Sequence, residues 1–374
     1  MRHLVARQIA RTGKSGPLHG SNVRGLLTGP FDGPKRVPPR PDVPEAPNPK
    51  LALHLITGGA GFIGSHLAEA LVARGDRVRV LDDLSSGREE NLASVETGAL
   101  GSGAPVEIVH GDVVDPDACL RAAEGAVAIL HEAAQVSVPA SIEDPVRSYD
   151  VNVRGTLNLL EAARVHGIER FVMAASSAAY GNSETLPKEE SMVPAPLSPY
   201  ASGKVAGEHL LRVYGSCYGI RTVALRYFNV FGPRQADDSP YTGVIALFVR
   251  ALLEGRTPTI YGDGEQTRDF TFIDNVVEAN LAALRCDAEP GTVVNVGAGE
   301  RISLNELYRA IASELGGPEA PGYGPERAGD VRHSLASIER ARSVLGYEPR
   351  VSWRDGLART ITWYRDAHAG STAG

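Results

Sequence analysis

The sequence predicts an α/β fold in which a doubly wound parallel sheet is followed by a smaller C-terminal α/β lobe. Three observations lead to this prediction. Short apolar runs, typical of buried strands, alternate with amphipathic helical stretches from residue 51 onwards. A glycine-rich turn joins the first strand to the first helix, and polar residues follow the ends of successive strands. The 374 residues, of which 43% are hydrophobic, are enough to bury a large core.

The first ordered elements form a strand–turn–helix–strand unit. Residues 51–56, L-A-L-H-L-I, predict a short buried strand. Residues 65–73 predict a helix that ends before Gly75, and residues 78–81 predict a second strand. Such a unit is the opening of a parallel sheet with helices on its faces.

The turn of this unit has the glycine spacing of a Rossmann-type dinucleotide site. Gly58 and Gly61 permit a tight turn and let a pyrophosphate approach the helix N-terminus, and Gly64 lets the helix pack closely on the strand. Asp82 ends the second strand, 18 residues after Gly64, where a carboxylate can accept a hydrogen bond from a ribose 2′-hydroxyl. Because an aspartate there repels a 2′-phosphate, the predicted cofactor is NAD rather than NADP.

Strand and helix alternate further along the chain. Strands are predicted at 106–109, 126–131 and 171–174, each followed by polar or small residues. Ligands of doubly wound sheets bind at these strand ends. Asp112 is therefore placed to contact adenine; the alternative is that it only caps the next helix. The helix between the last two strands is predicted to bury one face, made of Val153, Leu157, Leu160 and Ala163.

The segment S-P-Y-A-S-G-K places a tyrosine one helical turn before a lysine. Ser198 and Pro199 are typical of a helix N-cap and first residue, which puts Tyr200 and Lys204 on one face. For a phenol to act as a base at neutral pH, its pKa must fall by about 3 units, or about 4 kcal/mol. An ammonium about 5 Å away contributes on the order of 3 kcal/mol at an effective dielectric of 20. The positive ring of oxidised NAD adds to this effect, so we predict that Tyr200 is an acid/base.

On these motifs the chain resembles the extended short-chain dehydrogenase/reductase superfamily, and within it the NAD-dependent UDP-sugar 4-epimerases that act on UDP-glucose or UDP-N-acetylglucosamine. The resemblance covers about residues 51–366. The motifs that carry it are, in order, T-G-G-A-G-F-I-G, L-D-D-L-S-S-G, G-D-V-V-D, A-A-S-S-A-A-Y-G, S-P-Y-A-S-G-K, R-Y-F-N-V-F-G-P-R, G-D-G-E-Q-T-R-D-F and R-A-G-D-V-R-H-S.

The resemblance implies roles for individual residues. Tyr200 matches the acid/base, and Lys204 the residue that binds the nicotinamide ribose and lowers the phenol pKa. Ser176 matches the serine that hydrogen-bonds the reacting hydroxyl, with Ser177 its neighbour; the alternative for Ser176 is a serine satisfied at a strand end. The implied cofactor-binding residues are Gly58, Gly61, Phe62, Ile63, Gly64, Asp82, Asp83, Ser86, Gly87, Asp112, Val113, Ala133, Ala134, Gln135, Asn152, Tyr200, Lys204 and Tyr227. The implied substrate-binding residues are Ser176, Tyr200, Asn229, Val244, Tyr261, Arg268, Arg327, Asp330 and Ser334.

The implied activity is inversion of C4 of a UDP-hexose through a transient 4-keto sugar. Asn229, Arg268 and Arg327 with Asp330 would hold the uridine diphosphate, although any one of these arginines could form only a structural ion pair. The alternatives are a related nucleotide-sugar enzyme, such as a uronate 4-epimerase, a decarboxylase or a 4,6-dehydratase. Dehydration is disfavoured because A-S-S-A-A-Y-G lacks the Asp–Glu pair of the dehydratases. A non-catalytic NAD(H)-binding sensor is a more distant alternative.

Ser334 lies where the resembling enzymes carry either a bulky or a small side chain. A bulky residue there crowds the 2-substituent of the sugar, whereas a small one resembles members that also accept N-acetylated sugars. The segments S-V-P-A-S-I and G-D-V-R-H-S are similar to those of enzymes that act on UDP-N-acetylglucosamine. We therefore predict activity on both sugar classes.

Composition and charge limit the partners. A net charge of −7 argues against nucleic acid, and no apolar run reaches the roughly 20 residues of a membrane span. The histidines have no metal-ligand spacing, so no metal is predicted. Three distant cysteines are typical of a cytoplasmic protein. Superfamily members usually pair through a four-helix bundle that includes the Tyr–Lys helix, which predicts a homodimer.

The predicted domain organisation has four parts. Residues 1–50 carry nine Lys/Arg against three Asp/Glu, together with many Pro and Gly, and are predicted to be a disordered extension. Residues 51–225 form the NAD-binding domain, with a strand and helix returning to it at about 265–290. Residues 226–366 form most of the substrate lobe, and 367–374 a flexible tail.

Overall fold

The structure is a computed structural model that describes residues 52–236, 243–326 and 331–372. The predicted N-terminal extension, residues 1–50, therefore lies outside the described residues. In the described part, no helix is both long and apolar enough to cross a membrane.

The centre of the fold is an eight-stranded sheet in the order β12-β7-β6-β5-β1-β2-β4-β3. All neighbouring strands in it are parallel. The strands of the described residues are β1 (Leu53–Thr57), β2 (Arg77–Asp82), β3 (Thr97–Ala99), β4 (Val106–His110), β5 (Ala128–His131), β6 (Arg170–Ser176), β7 (Arg221–Tyr227), β8 (Val230–Phe231), β9 (Thr259–Tyr261), β10 (Thr267–Arg268), β11 (Thr271–Phe272), β12 (Thr292–Val296), β13 (Ile302–Ser303) and β14 (Gly322–Gly324).

Helices cover both faces of this sheet, as the doubly wound prediction requires. Three short turns add to them: 3₁₀ turns at Glu89–Leu92 and Ser177–Tyr180 and a π-helical turn at Asp150–Gly155. The helices of the described residues are α1 (Phe62–Ala73), α2 (Pro116–Ala123), α3 (Val138–Glu143), α4 (Pro145–Tyr149), α5 (Thr156–His166), α6 (Pro199–Tyr218), α7 (Val244–Leu253), α8 (Ile273–Ala283), α9 (Leu304–Leu315), α10 (Glu339–Leu345) and α11 (Trp353–Thr372).

The core consists of two apolar layers, one on each face of the sheet. Successive residues of β1 supply both, because side chains alternate along a strand. Ile56 packs in the layer that contains Leu67 of α1, and Leu55 in the layer that contains Leu160 of α5. Continuous burial of all five β1 residues is typical of a central parallel strand.

The topology places a ligand crevice at the centre of the sheet. From β1 the chain moves outward to β2 and β4, and it then returns to the other side of β1 with β5. The turns that follow β1 and β5 consequently diverge above their carboxyl ends. A ligand is expected at this reversal of strand order.

Two predictions about the second half of the chain are wrong in detail. The strand predicted to return to the main sheet at about 265–290 is β11, which pairs with β8 in a separate two-stranded sheet. The strand that does join the main sheet is β12, parallel to β7. The run T-V-V-N-V of β12 is β-branched and almost fully buried, as suits a parallel sheet, whereas β11 has only two residues before α8 begins. The predicted tail at 367–374 is also shorter, because α11 continues to Thr372.

The buried face predicted for the helix around α5 is only partly right. Leu160 and Ala163 are buried, but Leu157 is 37% exposed and Leu159 is buried instead. Within α5 the buried face includes Thr156, Leu159, Leu160 and Ala163, at the regular spacing i, i+3, i+4 and i+7, and Leu157 lies one position outside it.

Candidate active site

A cleft of about 1350 Å³ lies above the carboxyl ends of β1, β5 and β6. Its volume exceeds the roughly 300–1,000 Å³ usual for one small ligand, so two ligands fit side by side. Most of the predicted site residues line it, namely Gly58, Gly61, Phe62, Ile63, Gly64, Asp82, Asp83, Ser86, Gly87, Asp112, Val113, Ala133, Ala134, Gln135, Ser176, Ser177, Tyr200, Lys204, Tyr227, Asn229, Arg268 and Ser334.

The glycine turn after β1 leaves no room for side chains. Gly58 has a φ of 67°, and a Cβ there would lie 2.7 Å from the Ala133 nitrogen. A Cβ on Gly64 would lie 2.2 Å from the Gly58 carbonyl oxygen. Gly61 is the N-cap of α1, so bare backbone faces the cleft at the start of this helix. The N-terminus of a helix presented in this way binds an anionic group such as a pyrophosphate.

Asp82 is fixed at the end of β2 by two backbone hydrogen bonds. Its Oδ2 accepts from the Ala60 N–H and its Oδ1 from the Leu84 N–H, each at 2.9 Å. Burial raises the pKa of this carboxyl, although the two backbone donors oppose the effect. Each oxygen keeps a second acceptor position, so the carboxylate can still accept from a ribose hydroxyl.

Arg147, which the sequence analysis did not predict as a site residue, forms ion pairs with two acids of this region, Asp83 and Asp112. Arg147, on α4, lies 2.8 Å from Asp112 Oδ2 and 3.3 Å from Asp83 Oδ2. All three residues line the cleft. The predicted adenosine end therefore has a cation between the exposed Asp83 carboxylate and the half-buried Asp112 carboxylate, contributed by a segment remote in sequence.

The Tyr–Lys helix, α6, begins as the sequence predicts. The Ser198 hydroxyl caps it by accepting a hydrogen bond from the Ala201 N–H at 3.2 Å. Lys204 is 5% exposed, and its Nζ donates to the Ala174 carbonyl of β6 at 2.7 Å. The same Nζ is 6.0 Å from the centre of the Tyr200 ring. The lysine is thus held by the strand that ends at Ser176, and serine, tyrosine and lysine meet in one cleft.

Without a cofactor, the protein groups do not lower the pKa of Tyr200, so the predicted lowering depends on the charge of bound NAD. Burial raises the pKa of the phenol, and only its hydrogen bond with Ser176 opposes that effect. Burial also lowers the pKa of Lys204 to about 8, opposed by the Glu132 carboxylate. For both groups, the loss of hydration on burial is the largest effect on the pKa.

The predicted substrate residues fall into three groups. Asn229, Arg268 and Ser334 line the cleft, and Asn229 Nδ2 donates to the Asp269 carbonyl at 3.0 Å. Val244 and Tyr261 are not among the lining residues, and Tyr261 is 39% exposed. The remaining two, Arg327 and Asp330, lie outside the described residues.

One predicted cofactor residue supports the cleft without lining it. Asn152 is 3% exposed, and its Oδ1 accepts from the Gln135 N–H at 3.0 Å while its Nδ2 donates to the Gln135 carbonyl at 3.2 Å. It therefore fixes the backbone of Gln135, which does line the cleft.

Comparison with known proteins agrees with this geometry. The sequence profile of the NAD dependent epimerase/dehydratase family matches residues 54–297. The chain belongs to this family. It is 45% identical over 314 residues to the UDP-glucose 4-epimerase of Mycolicibacterium smegmatis, covering 83% of this chain and 98% of that protein. The predicted superfamily is confirmed.

Two solved structures of the family are also similar. The Thermus thermophilus UDP-glucose 4-epimerase, in complex with NAD, has a TM-score of 0.74 and 39% identity, covering 84% of this chain and 99% of that chain. The UDP-N-acetylglucosamine 4-epimerase of Methanobrevibacter ruminantium, in complex with UDP-N-acetylmuramic acid, has a TM-score of 0.78 and 36% identity over the same shares of the two chains. The predicted fold class is confirmed, and so is NAD as the cofactor.

The residues of this family member fit NAD. The glycine turn gives the pyrophosphate an unobstructed helix N-terminus, and Asp82 stands where the adenosine ribose needs an acceptor. Three residues that line the cleft have a buried oxygen without a hydrogen-bond partner among the described residues: Glu132 Oε2, Gln135 Oε1 and Gln235 Oε1. Unpartnered buried oxygens are costly, and a ligand with donor groups would satisfy them.

Sequence reasoning missed several lining residues of this NAD site besides Arg147. Glu132 follows β5 in H-E-A-A-Q, and an acid between a buried strand and two alanines was a visible signal. Its Oε1 accepts from the Tyr227 hydroxyl at 3.0 Å, and Asn280 Nδ2 donates to that hydroxyl at 2.8 Å. Lys188, only 2% exposed, also lines the cleft, and no sequence motif around it indicated a site residue.

Proposed function

We propose that the protein is a UDP-sugar 4-epimerase that interconverts UDP-glucose and UDP-galactose. The observation that supports this best is the meeting of Ser176, Tyr200 and Lys204 with the glycine turn in one cleft. A hydroxyl held by the serine and tyrosine there stands beside the bound cofactor. The family relationship supports the same reaction class.

In the proposed mechanism the protein side chains move one proton and hold the sugar. Tyr200 takes the proton of the 4-hydroxyl, and Ser176 hydrogen-bonds the same oxygen. NAD, held by the glycine turn and Asp82, would supply the redox chemistry by accepting hydride from C4 and returning it to the opposite face. Tyr200 then gives its proton back to the new hydroxyl, so the two roles of the phenol alternate within one turnover.

The charge of the cofactor explains how Tyr200 can act as a base although burial raises its pKa. The positive ring of oxidised NAD, when bound beside Tyr200, would favour the phenolate, because an adjacent opposite charge stabilises it. Lys204 of α6, whose Nζ is held by the Ala174 carbonyl of β6, adds a second positive charge. Once the ring is neutral, the phenol regains its affinity for a proton.

The 4-keto sugar must turn over while its nucleotide stays bound. Arg268 and Asn229 are proposed to hold the diphosphate and ribose, with Arg327 and Asp330 as further contacts. Arginine suits this task because its planar fork of donors matches phosphate oxygens. The residues that hold the nucleotide would then lie outside the part of the cleft where the sugar ring rotates.

The substrate range is proposed to include the N-acetylated pair, because Ser334 is small and lines the cleft. Replacing Ser334 with Tyr should lower the rate on UDP-N-acetylglucosamine at least about tenfold. The rate on UDP-glucose should stay nearly unchanged. Initial rates on the two substrates, measured with the same enzyme preparation, give the comparison. S334A is the matched control, since it keeps the side chain small. Equal losses on both substrates would exclude the steric explanation.

The proposed function is tested with a panel of UDP-glucose, UDP-galactose and their N-acetylated and uronic analogues, followed by proton NMR. The wild type should convert at least one 4-epimer pair, and Tyr200→Phe should lose at least about 100-fold in rate while retaining NAD. Conversion of only the uronic pair would point to a uronate epimerase. No conversion of any sugar by an NAD-loaded wild type would favour a sensor.

We also propose that the enzyme acts in the cytoplasm as a homodimer. The support for pairing lies on α5 and α6, which contact each other and leave apolar side chains exposed, including Leu157 at 37% and Val213 at 52%. The glycines of α6 serve another purpose, because Cβ atoms on Gly203 and Gly207 would meet Asn152 and Met173 of the same chain.

A further inference from the structure

Glu132 is an acid in the cleft that the mechanism above does not use. It follows β5 directly, and its N–H donates to the Thr57 carbonyl at 3.1 Å, so it stands next to the glycine turn. Its Oε1 accepts from Tyr227, but its buried Oε2 has no partner among the described residues. Leaving such an oxygen unpaired costs about 1–3 kcal/mol, which indicates that something else satisfies it in the working enzyme.

Among the described residues, Lys204 supplies the positive charge that acts on Glu132. From α6, Lys204 and Tyr200 face it; from β7, Tyr227; and from α8, the neutral Asn280 behind Tyr227. Its neighbour His131 bonds instead to Thr57 and Thr156, and burial lowers the pKa of His131 to about 3, so it is neutral. Tyr227 is also neutral, because burial raises its pKa far above the usual value.

In these surroundings, Glu132 is expected to be partly protonated near pH 7. Burial raises the pKa of its carboxyl to about 7, although the Tyr227 hydrogen bond and the Lys204 charge oppose this. An additional positive charge nearby would complete its ionisation, whereas a neutral group would leave it partly protonated.

When the cofactor is bound, its nicotinamide ring would lie near Glu132, because Lys204 stands between Glu132 and Tyr200: its charge acts on the Glu132 carboxyl, and its Nζ is 6.0 Å from the centre of the Tyr200 ring. Hydride leaves the carbon whose hydroxyl is held by Tyr200 and Ser176, so the ring has to lie beside these two residues. Both line the cleft together with Glu132, Lys204 and Tyr227. The oxidised ring carries a positive charge and the reduced ring carries none.

We propose that Glu132 is a positioning residue that responds to the charge of the cofactor. Its carboxyl loses a proton to solvent when the oxidised cofactor binds, and the resulting carboxylate stabilises the positive ring. The reduced cofactor brings no such charge. Glu132 therefore stays partly protonated when NADH binds, and it does not stabilise bound NADH to the same extent. The site therefore favours NAD over NADH, which keeps the enzyme in the form that can start the next turnover.

The test is calorimetric and does not depend on turnover. Full-length protein freed of nucleotide is titrated with NAD and with NADH at pH 7, in buffers of different ionisation enthalpy. The wild type should release roughly half a proton per site with NAD and close to none with NADH. Glu132→Gln, which keeps the shape and the Tyr227 contact, should release clearly fewer protons than the wild type on binding NAD, the remainder coming from Tyr200 and Lys204, and its NAD-to-NADH affinity ratio should fall about tenfold.

Glu190→Gln is the matched control. Glu190 is also a partly buried acid whose pKa is raised by burial, and it accepts from the Asn295 N–H at 2.7 Å, but it does not line the cleft. This variant should match the wild type in proton release and in affinity ratio. A merely structural effect of losing a buried acid would change both variants alike.

Two results would overturn the proposal. One is equal proton release by the wild type with NAD and NADH, which decides the matter even if E132Q fails to bind nucleotide. The other is an E132Q protein with the proton release and affinity ratio of the wild type. The inference rests on the proposed function for the position of the nicotinamide ring, but its calorimetric readouts use no sugar, so its failure can be told apart from a failed sugar assay.

Discussion

At the scale of single residues, burial controls the ionisable groups around the cleft. It raises the pKa of Tyr200 and Glu132 and lowers that of Lys204 and His131, in each case because the charged form loses hydration. Each group is thus displaced towards its neutral form. The charge of a bound ligand can then change the protonation of these groups at pH 7. Groups that are fully ionised at pH 7 would not respond in this way.

His131 makes stability depend on pH. The Thr156 hydroxyl donates to the Asn152 carbonyl and so accepts from His131 Nε2, while Thr57 bonds Nδ1 at 2.8 Å. Burial and the charge of Lys204 lower the pKa of His131 to about 3. Below the unfolded pKa of about 6.5, the unfolded chain binds a proton that the folded chain does not. Stability is therefore present above pH 6.5 and is lost as pH falls towards 3.

This effect can be measured by urea unfolding between pH 6.5 and 4. Replacing His131 with Gln should make the fall in unfolding free energy shallower, by up to about 1.4 kcal/mol per pH unit. The glutamine keeps a donor and an acceptor but does not titrate. A variant with the same slope as the wild type would show that His131 is not the group responsible.

At the scale of elements, the placement of α6 decides the site, because this helix carries both Tyr200 and Lys204. Two features hold it against the sheet. The absence of a side chain on Gly207 lets the helix approach Met173 of β6, where a Cβ would lie 2.8 Å from the sulfur. Farther along, Glu208 pairs with Arg226 of β7 through two contacts of 2.8 Å.

The buried pair of α6 and β7 gives a stability prediction. Arg226 is 2% and Glu208 6% exposed, so Glu208→Ala would leave a buried guanidinium without its counter-charge. The unfolding free energy should fall by about 3–5 kcal/mol, measured by denaturant titration. The double variant E208L/R226M, which removes both charges, should lose less. A double variant less stable than E208A would contradict this reasoning.

Sequence reasoning succeeds where local pattern and tertiary context agree. The first strand–helix–strand unit, the Ser198 cap and the glycine turn follow from local rules, and the structure has them. It fails where partners distant in sequence decide. The pairing of β12 with β7 and the contact of Arg147 with Asp112 have no local signal.

At the scale of the whole molecule, the proposed dimer concerns the outer faces of α5 and α6. The two helices contact each other where the Tyr214 hydroxyl meets Glu161 Oε1 at 2.5 Å. Leu157 lies one turn before Glu161, and Val213 lies next to Tyr214; both are exposed. Two copies of this face would bury apolar surface of the kind found in homodimer interfaces.

The pairing is tested by light scattering after size-exclusion chromatography. The wild type should have the mass of a dimer, and L157D/V213D should shift it to a monomer, because each charge would have to be buried at the interface. Val193→Asp is the control, since Val193 is 87% exposed and lies outside both helices. A monomeric wild type, or a double variant that stays dimeric, would contradict the proposed face.

The central claim is that one sugar carbon loses a hydrogen to the bound cofactor and regains the same hydrogen. It is tested most directly with UDP-galactose deuterated at C4, incubated with the enzyme in ordinary water and analysed by NMR and mass spectrometry. The product is expected to be UDP-glucose that keeps its deuterium at C4. Product that has exchanged this deuterium for solvent hydrogen would contradict it.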